Sequence, residues 1–135
     1  MHDEQSRRLA EAADAIIGAG EAIEEARAST DDSAFGKELE RERAAAAQRM
    51  ASRIEAAARK TEDALRKATV AAATVETPNA WSAYRDAVTA IRAARTAARS
   101  APDADGSANR RDMGGQAVER LTHALTAAAA MTFKE

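Results

Sequence analysis

Apolar side chains recur along residues 34–76 at Leu39, Ala46, Met50, Ile54, Ala57, Leu65, Ala68, Ala72 and Val75, with Arg43 and Thr61 completing the same row. Ten steps cover 36 residues, a period of 3.6, which is the pitch of a straight α-helix rather than the 3.5 of a left-handed supercoil. No proline interrupts this stretch, and its one glycine, Gly36, falls in what would be the first turn. One continuous helix over about 34–76 is predicted, roughly 64 Å long at about 1.5 Å per residue, and such a helix serves as a scaffold along which others pack. Its opposite face mixes Glu38, Glu40, Glu42 and Glu55 with Arg41, Arg49, Arg53, Arg59 and Lys60, a surface that water solvates well.

The remaining pattern predicts three more helices. Leu9, Ile16 and Ile23 are seven apart, with Ala12, Ala13, Ala19 and Ala26 between them, so a first helix over about 3–27 carries one large and one small residue per heptad. Ser29, Thr30, Asp31, Asp32 and Ser33 follow, and any of them could cap the long helix. Thr77-Pro78 marks the next boundary, threonine as cap and proline at the first helical position, with a kinked continuous helix as the alternative. The third helix, about 78–100, carries Trp81, Tyr84, Val88, Ile91 and Ala98 on one side. Residues 101–111, with Pro102, Asp103, Asp105, Gly106, Ser107 and Asn109, read as a flexible loop. A fourth helix over about 112–132, starting near Asn109 or Asp112 and weakened by Gly114 and Gly115, places Val118, Leu121, Leu125 and Ala128 inward, with Phe133 as a terminal plug. The predicted fold is all-α: an elongated four-helix bundle in a single domain built on the long helix.

Composition changes this picture in one respect. Alanine supplies 39 of the 135 residues, while Leu, Ile, Val and Phe together supply 16, so the core is thin and the helices must approach closely through small side chains. The net charge of −2 gives no global attraction to nucleic acid or to an anionic membrane, but local charge is lopsided. The first helix is acidic, with Asp3, Glu4, Glu11, Asp14, Glu21, Glu24 and Glu25, whereas the third carries Arg85, Arg92, Arg95 and Arg99 against Asp86.

Candidate chemistry is sparse. The chain has no cysteine, which removes thiol catalysis, disulfides and thiolate metal sites. His123 lies four residues after Glu119 with no second histidine or acidic cluster beside it, so no metal site is expected, and no glycine-rich phosphate loop or nucleophile elbow occurs. No catalytic residue and no cofactor are expected, and the chain is expected not to be an enzyme. No window of about 18 apolar residues could span a bilayer, and the start of the chain lacks the cationic and apolar regions of a signal peptide. A cytoplasmic location is expected, with leaderless export open. The alanine and arginine bias points to a GC-rich bacterial or phage genome.

A long helix, a short turn and the residues Trp81, Ser82 and Ala83 beside that turn resemble the WXG-type substrates of type VII secretion, which are helical hairpins. Alanine stands where that motif has glycine, about seventy residues correspond, and Tyr84 is followed four positions later by Val88 rather than by an acid. The resemblance implies leaderless secretion as one alternative function. A second alternative is nucleic-acid binding through the basic stripe Arg85, Arg92, Arg95 and Arg99, which the pI near 5.8 disfavours. The principal expectation is a non-enzymatic protein-binding bundle, an adaptor, inhibitor or assembly component. Helix lengths suggest its interface. The first and third helices return along the long one only to about residues 60 and 55, and the fourth completes a three-helix layer around Leu65, Ala72, Val75, Trp81 and Leu121. The other half would then hold two helices and expose Ala12, Ile16, Gly20, Ile23 and Met50, a surface suited to a homodimer.

Overall fold

The computed structural model describes residues 2–72 and 78–133, and the side chains of these except 2, 78–81 and 133. Four helices account for nearly all of them: α1 (His2–Ser29), α2 (Glu40–Ala71), α3 (Pro78–Ser100) and α4 (Ser107–Phe133). Among the described residues there is no strand, and the chain is an all-α helical bundle. The expected cap at Thr77 and the end of the apolar row at Val75 lie outside the described residues, as do the side chains of Trp81 and Phe133.

The helices alternate in direction. The side-chain amide of Gln5, at the start of α1, donates to the carbonyl of Ala71 at the end of α2 (2.9 Å), so these two run antiparallel. Gly20 of α1 faces Leu125 of α4, and Arg27 pairs with Glu119, so α1 and α4 are antiparallel as well. α2 and α4 run the same way, with Glu40 against Arg110 and Met50 against Gly114. α2 packs against all three other helices, and α4 does the same. The cross-section is therefore a rhombus with α2 and α4 on its short diagonal and α1 and α3 at its far corners. Ala46, Met50, Ile54, Ala57, Thr61, Leu65 and Ala68 are all buried, so the 3.6-residue row is the inward face of α2 over its whole middle. Thr61 fits this apolar row because its hydroxyl donates to the Ala57 carbonyl (2.8 Å). Ala47, Ala58, Ala64 and Ala71 widen the buried face, as three neighbours require.

Two boundaries differ from the sequence expectation, and both change the packing. The long helix does not begin at 34. Ser33–Gly36 form a single 3-10 turn, Lys37 is extended, and α2 starts at Glu40. Burial of Phe35 decides this: its side chain is 3% exposed, and Arg111 of α4 lies over its ring at 5.6 Å from the centroid. The Asp32 carboxylate accepts the Ala34 N–H at 2.9 Å and holds the turn, and Arg43 donates to the Glu38 carbonyl at 2.7 Å, satisfying the extended segment that precedes α2. Leu39, counted in the apolar row, is consequently 53% exposed. At the other end, the expected flexible loop is largely structured. Ala101–Asp103 form a 3-10 turn, Gly106 reverses the chain with φ of 80°, and α4 begins at Ser107, five residues before Asp112. Arg110 seals this corner, 7% exposed, with its Nε donating to the Ala104 carbonyl (3.1 Å) and Nη2 to Glu40 (2.6 Å).

Candidate functional site

A shorter α2 and a longer α4 leave no half of the bundle with only two helices. The surface expected to form a homodimer is gathered together, but inside one chain. Ala12 and Met50 are fully buried, Ile23 is 3% exposed, Ile16 and Gly20 are half-buried, and α4 of the same chain lies on Met50 through Gly114 and on Gly20 through Leu125. A second copy has no access to Met50, Ile23 or Ala12 in this arrangement. The large apolar side chains that do face solvent among the described residues are Ile17, Leu39 and Val70, which lie on separate elements.

The basic stripe is divided by the packing. Arg95 is drawn into the seam between α2 and α3, where its Nη1 donates to Glu62 at 2.9 Å and its Nε lies 3.4 Å from Glu55. Arg85, Arg92 and Arg99 instead stand exposed on the outer face of α3, alternating with the exposed Thr89 and Thr96 in steps of four and three. Among the described residues none of these three arginines has an ion-pair partner. The opposite corner has the reverse sign. Glu11, Asp14, Glu21 and Glu25 are exposed on α1, without an ion-pair partner among the described residues, and Ile17, 61% exposed, lies beside Asp14 and Glu21 at their edge. Arg59 and Lys60 of α2 border this face on one side. The sequence displayed both charge biases; that they occupy opposite corners of a rhombus, unable to reach each other, is a property of the packing.

Concave surface is shallow, and part of its charge is already engaged. A groove of about 640 Å³ between α1 and α4 is lined by Arg27, Thr30, Arg111, Gly115, Glu119 and Arg120. Arg27 is bound to Glu119 at 2.9 Å and lies 3.5 Å from Glu24, while Arg111 donates to the Thr30 carbonyl at 3.0 Å. Among the described residues no group of three His, Asp or Glu side chains is placed to hold a metal ion. Among the described residues no helix is long and apolar enough to cross a membrane. The hairpin of α2 and α3 that carries the likeness to type VII substrates forms half of a four-helix bundle here. Comparisons with protein-family models, with curated proteins and with solved structures find no match to the chain.

Two carboxylates are held below their usual range, both at the junction before α2. The Ala34 N–H, then Arg49, lower Asp32; Arg110, then Arg43, lower Glu40. These are structural bonds that fix the α1–α2 connection and the start of α4 to one another. Arg110 and Phe35, which organise that junction, carry no signal in the periodicity, since Arg110 reads as one half of a loop's basic pair and Phe35 as the residue beside a glycine.

Proposed function

We propose that this chain is a non-enzymatic protein-binding helical bundle, an adaptor or assembly component that works through the faces of its two outer helices. The observation that supports this reading is the row Arg85, Arg92 and Arg99, held outward by a rigid helix and left without carboxylate partners among the described residues. Three guanidiniums at a seven-residue pitch, about 10.5 Å apart, fit carboxylates repeated at the same pitch along a partner helix. A long helical scaffold with shallow, open grooves is suited to presenting such a face and not to enclosing a small molecule.

The same row favours a second reading, contact with nucleic-acid phosphates. Three such contacts would give a salt slope of only about −3 on a logarithmic scale, and the acidic α1 would oppose approach. The two readings separate in one experiment. The chain is immobilised and used to capture protein from extract of the cells that make it, with and without nuclease, beside the variant R85E/R92E/R99E. Protein binding predicts a discrete partner that the variant loses and that nuclease leaves in place. Capture abolished by nuclease, or retention of the pure chain on DNA at ~50 mM salt, would replace this reading with the nucleic-acid one.

A further inference from the structure

We propose that copies of this chain assemble side by side, the arginine row of α3 on one copy docking against the acidic face of α1 on the next. The proposal rests on the protein-binding reading above and names the partner as the chain itself. Three features of the two faces match. α1 and α3 both run antiparallel to α2, so they point the same way, and a neighbour displaced sideways presents its acids parallel to the arginines. The spacing agrees in one register: Asp14 and Glu21 are seven residues apart, as are Arg85 and Arg92, which places Arg99 beside Ala28, three residues after Glu25. The chemistry agrees as well, since the exposed Ile17 flanks Asp14 and Glu21 on α1 as the exposed Thr89 and Thr96 flank the arginines on α3.

Position in the bundle gives the argument its direction. Opposite charges on neighbouring helices pair within a chain, as Arg95 does with Glu62 and Arg27 with Glu119. The acids of α1 and the arginines of α3 cannot pair with each other, because these helices sit at the far corners, and neither set is paired with α2 or α4 among the described residues, although Arg59 and Lys60 border the acids. A second copy offers each face the opposite charge, and a net charge of −2 leaves copies with little general repulsion. The contact is heterologous, one face against a different one, so each added copy leaves both kinds of face free at the ends and the array stays open.

Sedimentation velocity on the full chain tests this, from about 10 μM to 1 mM, where contacts built on a few exposed ion pairs associate. At ~20 mM salt the weight-average mass of the wild type should rise with concentration above 14.3 kDa, and at ~500 mM it should return to that value, because a Debye length of a few ångströms screens exposed pairs. R85E/R92E/R99E and D14R/E21R/E25R should each stay monomeric, with circular dichroism showing that the helices remain formed. The chain carrying all six substitutions has the wild-type net charge and should regain association. A wild type that remains monomeric at low salt, a single-face variant that still associates, or a folded six-fold variant that does not would overturn the proposal. A monomeric wild type that nonetheless loses a captured host protein on R85E/R92E/R99E would reject self-assembly alone; one that captures nothing as well would reject the broader reading too.

Discussion

Gly114 and Gly115 are adjacent on α4, yet replacing each with alanine should move stability in opposite directions. In a helix interior alanine is favoured over glycine by about 1 kcal/mol, which is the whole expected effect where space is open. At Gly115 nothing lies within 4 Å of the added Cβ. At Gly114 the Cβ would sit 2.3 Å from the Met50 sulfur, 2.7 Å from its Cε and 3.3 Å from its Cγ. Met50 is fully buried beneath α4, so its thioether cannot swing into solvent, and the clash must be relieved by shifting the core or by moving α4 away from α2. Overpacking of this kind costs about 1–3 kcal/mol, which exceeds the propensity gain over most of that range. Gly115→Ala should therefore stabilise by roughly 0.5–1 kcal/mol and Gly114→Ala destabilise by roughly 1 kcal/mol. For a chain of this length each kcal/mol moves the thermal midpoint by about 3–4 °C, so the two variants should melt some 6 °C apart. Urea titration gives the same difference in free energy. The combination Met50→Ala with Gly114→Ala tests the cause. The methionine truncation alone should cost about 2–5 kcal/mol, and adding the alanine methyl should then cost nothing or recover stability, a coupling of at least ~1 kcal/mol. Equal stabilisation by both alanines would refute the close approach of α4 to α2 at this level.

Four further outcomes follow from the junction and the shape. Asp32→Ala removes the bond to the Ala34 N–H and the pair with Arg49, and urea titration should show a loss of about 1 kcal/mol at neutral pH. Because folding lowers the Asp32 and Glu40 carboxyls, their contribution is present above the ordinary carboxylate range and is lost as pH falls through the lowered folded values; D32A/E40Q should flatten the acid limb of a stability profile. Arg110→Met keeps the buried stem but leaves the Ala104 carbonyl without its donor, and should cost about 1–3 kcal/mol by urea titration while raising the hydrogen-exchange rate of residues 104–107. A 32-residue α2, about 48 Å long, should give a radius of gyration in solution scattering clearly above the ~14 Å expected of a compact chain of this length, and a compact value would contradict an unbroken α2.

Local sequence determined which residues are helical and which side of each helix is dry. The 3.6-residue row from Ala46 to Ala68 is buried as its period requires, Thr61 included, because a period is a property of one helix and survives whatever packs against it. The charge biases of α1 and α3 were legible for the same reason. Tertiary packing decided what covers each dry face and where each helix ends. Hydrophobic contact is non-directional, so the pattern at Ala12, Ile16, Gly20, Ile23 and Met50 announces a neighbour without saying whether it is α4 or a second chain. Burial of Phe35 outweighed six residues of helix-compatible sequence, which shortened α2 to 32 residues and let α4 close over Met50. Gly114 and Gly115 are indistinguishable in sequence; the axial separation of α2 and α4 alone makes one a requirement and the other a weakness, because close-packed interiors respond to a single methyl group and open surfaces do not.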